Sequence, residues 1–381
     1  MKKNRLMTIP ILINGGIVLP FFKKIYLNPF LLAFLIGILG MYFVPAVKED
    51  LYRHYEYFDV LKLENYNPLA EKYFGLSIIM YILKKLKLTK ECLPLFSLTT
   101  FFYFYLSLIK KEAKKNKISF KKWKLILLFS ILVTGVPHLF IYSGIRFFLG
   151  SMLMIYGTMN YLESRNIIMS ILFFVLGISL HNLLIIYIPI FLVCISVRRK
   201  IIFDNKMRLV YFVVILFLSW NFNLKNITIF MNNYIKISST YTSEITNYGI
   251  NGLKNTYLHA NIYGKIRLII EVLLYLILPY CYVSQLKLKS KFDNFIINYS
   301  YIILLIFKYY DFFRRFTYIL GIMISYSLIQ KIKEKYVQTY ILVLIFLKIV
   351  LLIIYIISNY EFIISGVTNF FLGINIFKIL L

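Results

Sequence analysis

The chain has 381 residues, of which 60% are hydrophobic and 18% are aromatic, and it carries a formal net charge of +28. This composition excludes an ordinary soluble protein, because repeated apolar runs of about 17–20 residues match the ~30 Å hydrocarbon core of a bilayer. The charge does not indicate nucleic-acid binding, since the lysines and arginines cluster in short loops between apolar runs, as membrane topology requires. We therefore predict an all-α, polytopic integral membrane protein with a single domain over residues 1–381.

The apolar runs predict about 11–13 transmembrane helices. In chain order they cover residues 6–22, 29–46, 91–109, 124–141, 147–162, 167–180, 183–197, 209–221, 266–284, 295–308, 316–329 and 338–357. Strongly basic loops between spans should face the cytoplasm, because cytoplasmic loops carry an excess of lysine and arginine. These loops are 110–124, 198–208, 285–293 and 331–335.

Two other loops fall on the outer side in this topology. The first covers residues 48–90, and its apolar run 73–86 is too short to cross a membrane and ends among lysines. That pattern predicts a re-entrant or surface helix. The second outer loop, residues 222–265, is polar and rich in Asn, Thr and Tyr, and loops of this length usually carry function.

Two consecutive spans each carry one polar group on a face of small residues. Arg146 shares a helix face with Gly150 and Gly157, and His181 shares one with Gly177 and Ser170, because residues four or seven apart lie on the same face. Small residues on a face mark where membrane helices pack. The short connection 163–166 predicts an antiparallel hairpin. The hairpin should bring three pairs level: Arg146 with His181, Gly150 with Gly177, and Gly157 with Ser170. The alternative is that Arg146 only snorkels to headgroups and that His181 is an ordinary packing residue.

Further charged groups should reach the same outer level from distant parts of the chain. Asp50, Arg53 and His54 come from the first outer loop, and Arg314 and Arg315 precede a late span. Arginines that converge on one cavity indicate an anionic ligand, and the guanidinium fork favours phosphate. A phosphate on a lipid that arrives from the bilayer fits this position.

Several motifs follow one another in a distinctive order along the chain. They are "DLYRHY" from Asp50 to Tyr55, "IR" at Arg146, "LHN" at His181, the long outer loop, and a late outer arginine, Arg314 or Arg315. This layout resembles the EpsG-like and O-antigen polymerase (Wzy-type) families, which polymerise lipid-linked repeat units into surface polysaccharide. Those families commonly have a polar and then a small residue after the middle arginine, where this chain has Phe147 and Phe148.

The resemblance implies a membrane glycosyltransferase of the bacterial cytoplasmic membrane. Its active site would face the extracytoplasmic side, and a GT-C-like helix arrangement is one fold that it could adopt. It would transfer a glycan from undecaprenyl pyrophosphate to a lipid-linked repeat unit. The catalytic candidates are Arg146, His181 and Asp50, the last two as alternative general bases. The candidates for binding the pyrophosphate are Arg146, Arg314, Arg315 and Arg53.

The same resemblance implies partners but no cofactor. A chain-length regulator and a flippase of the same pathway are the implied protein partners, beside the lipid bilayer. The chain has no DxD motif and its outer carboxylates are scattered, which predicts no metal requirement. Two rival functions remain: a flippase that carries the lipid-linked oligosaccharide across the membrane, and an acyltransferase that modifies surface sugars.

One further pair of charges has a simpler interpretation. Glu271 lies one helical turn after Arg267 in the span 266–284. Residues four apart on a helix are neighbours, which predicts an ion pair rather than a direct role in chemistry.

Overall fold

The structure, a computed structural model, describes residues 28–43, 45, 49–64, 66–71, 73–115, 138–196, 205–221, 262–286, 290–331 and 334–358. Within these ranges all regular structure is helical. The α-helices are α1 Pro29–Met41, α2 Asp50–Val60, α3 Phe74–Lys85, α4 Cys92–Lys115, α5 His138–Ser143, α6 Ile145–Met159, α7 Ile167–Leu180, α8 Tyr187–Ser196, α9 Asn205–Asn221, α10 Ile262–Val272, α11 Leu278–Gln285, α12 Lys291–Leu304, α13 Tyr310–Gln330 and α14 Lys335–Ser358. Tighter or wider turns occur at Pro68–Ala70, Asn160–Ser164, Asn182–Ile186 and Leu273–Ile277.

The described helices are those of an all-α membrane protein. Four helical stretches in this part of the chain are long and apolar enough to cross a membrane: Cys92–Glu112, Gly264–Gln285, Phe312–Gln330 and Lys335–Ile354. Shorter apolar helices accompany them. The predicted span 6–22, most of the predicted span 124–141, and residues 222–261 of the predicted long loop lie outside the described residues.

Helices α6 and α13 begin before the predicted spans 147–162 and 316–329, and their additional first turns contain arginines. Helix α6 begins at Ile145 and helix α13 at Tyr310. Arg146, Arg314 and Arg315 are therefore helical residues, although the apolar pattern placed the span boundaries after them. Hydropathy marks where a helix becomes apolar, whereas backbone hydrogen bonding continues through the charged turns.

The predicted first outer loop, residues 48–90, contains a helix, α2, that the apolar pattern did not predict. Its buried side chains are Leu51, Tyr55 and Phe58, while the rest of its surface is largely polar. Such a helix has low overall hydropathy and is detected only by its amphipathic pattern.

Helix α3 occupies the run that we predicted to be re-entrant or at the surface. Its 12 residues span about 18 Å, which is short of a bilayer core. It packs on α2 through a shared cluster of buried apolar side chains. Its Lys84 donates to the carbonyl oxygens of Phe58 at 2.6 Å and Asp59 at 3.0 Å. This lysine satisfies carbonyls at the C-terminal end of α2 and fixes the two helices together.

Helices α6 and α7 form the predicted antiparallel hairpin. A Cβ on Gly150 would lie 2.9 Å from the carbonyl oxygen of Gly177, and a Cβ on Gly157 would lie 3.1 Å from that of Ser170. These distances leave no room for larger side chains, so the two backbones are in direct contact. The predicted levels of Gly150 with Gly177 and of Gly157 with Ser170 are confirmed.

Buried tyrosine hydroxyls connect α13 to the helices around it. Hydrogen bonds between side chains, or to one carbonyl, join Tyr105 to Ser325 (3.0 Å), Tyr326 to Glu112 (2.7 Å), Tyr310 to Glu271 (3.2 Å), Tyr282 to Ser327 (2.9 Å), and Tyr299 to the carbonyl of Phe316 (3.2 Å). A tyrosine hydroxyl needs a polar partner when it is buried, so each bond constrains how two helices align.

A buried ion pair lies at the C-terminal end of α13. The Nζ of Lys331 is 2.6 Å from Oδ1 of Asp293, and the two side chains are 1% and 0% exposed. Asp293 also accepts from the hydroxyl of Ser327 at 3.1 Å and from the backbone N–H of Ser290 at 3.0 Å. These additional hydrogen bonds offset the cost of removing two charges from water.

Candidate functional site

Five polar residues from three distant segments converge near the start of α6, and we call them the arginine cluster. The cluster consists of Asp50, Arg53 and His54 from α2, Arg146 from α6, and Arg315 from α13. Arg53 contacts the Asp50 carboxylate one turn away on the same helix. Within this cluster guanidinium groups outnumber carboxylates three to one.

The Asp50 carboxylate is held in its charged form by its neighbours. Burial alone would raise its pKa, but the positive charges of Arg146, Arg315 and Arg53 outweigh burial and hold the pKa below its ordinary value. A carboxylate with a lowered pKa accepts protons poorly, which makes Asp50 a weak candidate for a general base near neutral pH.

His54 lies beside Asp50 in a setting that disfavours its charged form. Burial lowers the pKa of its imidazole to about 3, helped by the positive charge of Arg146 and only partly opposed by Asp50. His54 is therefore neutral across the physiological range. It adds no charge to the cluster.

Tyr73, the residue before α3, contacts both Arg146 and His181. The guanidinium carbon of Arg146 lies over the tyrosine ring, 4.1 Å from its centroid. The tyrosine and histidine rings have centroids 6.0 Å apart. Arg146 and His181 thus contact one aromatic ring, which comes from the predicted first outer loop.

His181 ends α7 and is enclosed by aromatic and cationic groups. Its side chain is buried, and its Nδ1 accepts a hydrogen bond from the backbone N–H of Leu183 at 3.3 Å. On its other side, Nε2 lies 3.5 Å from a guanidinium nitrogen of Arg315. The ring of Phe147 makes an edge contact with the histidine at 5.4 Å and lies 5.6 Å from the Arg315 guanidinium carbon.

These contacts determine how His181 can act. An N–H of Leu183 faces Nδ1 and an N–H of Arg315 faces Nε2, but a neutral imidazole accepts a hydrogen bond at one nitrogen only. With the proton on Nδ1, Nε2 accepts from Arg315. With the proton on Nε2, the imidazole N–H and the Arg315 guanidinium are both donors, an arrangement that suits an anionic oxygen bound by both.

Arg314, although next to Arg315, takes part in a different group. Its guanidinium lies 3.1 Å from Oε2 of Glu271, whose other oxygen is 2.8 Å from Nε of Arg267. Tyr310 also donates to Glu271, at 3.2 Å. The predicted ion pair between Arg267 and Glu271 is confirmed. Arg314 is a second cationic partner of the buried Glu271 carboxylate and so links α13 to α10.

The structure therefore brings together most of the predicted site residues. Asp50, Arg53, Arg146 and Arg315 lie in the arginine cluster, and His181 adjoins it, whereas Arg314 pairs with Glu271. Sequence reasoning missed Tyr73 and the role of Phe147. Tyr73 immediately precedes the short helix α3, which the sequence predicted. Nothing in the local sequence indicated that Tyr73 would contact Arg146.

Within the described residues, no group of three or more His, Cys, Asp or Glu side chains is placed to hold a metal ion. Comparison of the chain with protein-family models, with curated proteins and with solved structures finds no match.

Proposed function

We propose that this chain is a membrane glycosyltransferase that polymerises a surface polysaccharide, such as O-antigen, capsule or exopolysaccharide. It would transfer a growing glycan from undecaprenyl pyrophosphate to a lipid-linked repeat unit. The observation that carries the proposal is the convergence of Arg146, Arg315, Arg53 and Asp50 next to His181. A site with excess guanidinium charge, built on an apolar helical bundle, suits a lipid with a pyrophosphate headgroup.

The reaction would need charge stabilisation more than it needs a base. A hydroxyl of the acceptor sugar attacks the anomeric carbon of the donor, and the bond from that carbon to the pyrophosphate oxygen breaks. The proton of the attacking hydroxyl would pass to the departing pyrophosphate or to water. Negative charge accumulates on the departing pyrophosphate. Fixed guanidinium groups of Arg146 and Arg315 would stabilise that charge as it develops.

Three of the predicted roles change in this scheme. In the tautomer whose Nδ1 accepts from Leu183, His181 would donate a hydrogen bond from Nε2 to the leaving pyrophosphate rather than accept a proton. Asp50 would orient Arg53, Arg146 and Arg315 as a carboxylate instead of acting as a base. Arg314 would support α13 from the Glu271 side.

The wider setting follows from the resemblance to EpsG-like and Wzy-type polymerases and is proposed with it. The complete bundle would have about 11–13 transmembrane helices, GT-C-like in arrangement, in the bacterial cytoplasmic membrane. The arginine cluster would face the extracytoplasmic side, where residues 222–265 would form the long loop. A flippase and a chain-length regulator of the same pathway would be partners, and no metal would be required.

The test is a gel of surface glycan from the source strain with the gene deleted and then restored. Loss of the ladder, with single repeat units still reaching the surface, is the expected result for a polymerase. Arg146→Ala should fail to restore the ladder, and Ile171→Ala, on the exposed face of α7, should restore it. Single units that accumulate on the inner leaflet would instead favour a flippase. An unchanged ladder together with lost acyl groups would favour an acyltransferase.

A further inference from the structure

We infer that Tyr73 is a positioning residue that holds the Arg146 guanidinium by its face and so leaves the edge of that group free to bind the pyrophosphate. The inference rests on the proposed function and extends it to a residue of the first outer loop. It rests on three features: the contact of Tyr73 with Arg146, the attachment of α3 beside His181, and the geometry of guanidinium binding.

The contact between Tyr73 and Arg146 is close and face-on. The distance from the guanidinium carbon to the ring centroid, 4.1 Å, is well inside the ~6 Å range of cation–π attraction. Both side chains are partly buried, which removes water that would otherwise screen the attraction. Arg146 is thus held against an aromatic surface in addition to its attraction to Asp50.

The position of Tyr73 is set by the helix that follows it. Gly75, in the first turn of α3, lies against the end of α7, and a Cβ there would be 2.9 Å from the carbonyl carbon of Ser179. Ser179 is two residues before His181. This backbone contact fastens the start of α3 to the end of α7, so the Tyr73 ring stays next to both His181 and Arg146.

The geometry of a guanidinium explains what such a hold achieves. All five N–H donors of arginine lie in the plane of the group, whereas an aromatic ring binds its face. An ion pair with a carboxylate occupies donors, but stacking on a ring occupies none of them. Tyr73 therefore orients Arg146 without consuming the N–H groups that would grip phosphate oxygens in pairs.

A series of fluorinated phenylalanines at position 73 separates this role from simple packing. Fluorine withdraws electron density from the ring face and weakens cation–π attraction while changing the ring size little. The full-length protein in lipid nanodiscs would carry Tyr, Phe, or mono-, di- or trifluorophenylalanine at position 73. The readouts are the dissociation constant for undecaprenyl pyrophosphate and the melting temperature. Trifluorophenylalanine at Phe212, which packs on Tyr280 at 4.8 Å, is the matched control.

Tyr73→Phe should bind within about threefold of the natural protein, because the ring face is retained. Binding should then weaken stepwise with each fluorine, to between roughly 3-fold and 30-fold for the trifluoro variant, at an unchanged melting temperature. If the natural protein binds and the series is flat, or follows the melting temperature, the role of Tyr73 is refuted while the proposed function stands. If the natural protein does not bind undecaprenyl pyrophosphate at all, the proposed function is refuted, and this inference with it.

Discussion

Arg314 and Arg315 are consecutive residues of α13, yet their guanidinium groups belong to different polar groups. Arg314 lies 3.1 Å from the buried Glu271 carboxylate, and Arg315 lies 3.5 Å from His181 and acts on the charge of Asp50. Consecutive residues on a helix point about 100° apart. One turn of α13 thus provides a structural arginine and a candidate ligand-binding arginine.

Alanine should affect ligand binding at Arg315 and thermal stability at Arg314. Arg315→Ala should weaken binding of undecaprenyl pyrophosphate by roughly 10-fold to 100-fold, since it removes a charged donor from the proposed anion site. Arg314→Ala should leave the dissociation constant within a few-fold but lower the melting temperature. The buried Glu271 carboxylate would lose one of its two arginine partners, Arg314, and keep Arg267. Binding and thermal unfolding of both purified variants provide the measurement. Loss of binding in Arg314→Ala alone would reverse the assignment.

Asp50→Asn should lower the rate of transfer without changing its pH dependence. The lowered pKa keeps Asp50 ionised at every pH above its ordinary value of 3.8, so it does not titrate between pH 5 and pH 8. We expect a loss smaller than the roughly 100-fold that removal of a general base costs. The measurement is the rate of polymerisation across that pH range. An acidic limb that is present in the natural protein and absent in Asp50→Asn would identify Asp50 as the base after all.

His54 should make the protein less stable in mild acid. It stays neutral in the folded protein down to a pKa of about 3, whereas an unfolded histidine takes up a proton near its ordinary pKa of 6.5. The unfolded state then binds more protons between these values, so the free energy of unfolding falls as pH decreases from 6.5, by at most about 1.4 kcal/mol per unit.

His54→Gln removes this titration and should flatten the dependence of melting temperature on pH. Melting curves at pH 7.5, 6.5, 5.5 and 4.5 compare the two proteins. Above pH 6.5 the natural protein keeps the full contribution of the neutral histidine. Parallel curves for the two proteins down to pH 4.5 would show that His54 is accessible to protons in the folded state.

Removing only Lys331 from its buried pair with Asp293 should lower the free energy of unfolding more than replacing both residues by neutral ones. Lys331→Met leaves Asp293 as an uncompensated buried charge and should cost about 3–5 kcal/mol of unfolding free energy. Adding Asp293→Asn should recover much of that loss. Lys115→Met, at a lysine that is 68% exposed and 4.0 Å from Glu112, should change stability by less than about 0.5 kcal/mol. Denaturant unfolding measures all three variants, and equal losses for the two lysines would contradict the expectation.

Local spacing was sufficient to predict part of this architecture. The short connection 163–166 predicted the hairpin of α6 and α7, and the four- and seven-residue intervals around Gly150 and Gly177 predicted its contact faces. Small residues on one face allow two helices to meet at backbone distance. The four-residue interval from Arg267 to Glu271 predicted their ion pair for a similar reason. Both relationships depend only on helix geometry, which a sequence reports directly.

The contacts that complete the candidate site depend on packing between distant segments. Arg314 meets Glu271 across 43 positions of sequence, and Tyr73 meets Arg146 only because α3 docks on the end of α7. Helix α2 was missed since one buried apolar side on a polar helix gives little hydropathy signal. Contacts between distant segments have no periodicity that marks them in the sequence.

The tyrosine hydroxyls that hold α13 bear on whether the helical bundle can alternate its access. A carrier that alternates its access rocks one group of helices against another around a fixed site. Hydrogen bonds tie α13 to α4, α10, α11 and α12. At about 0.6 kcal/mol for each such bond in a membrane, rocking of α13 would break roughly 3 kcal/mol of hydrogen bonds. These bonds hold Arg315 at one level of the bundle, which favours the proposed polymerase, in which the substrate comes to a fixed site, over a carrier.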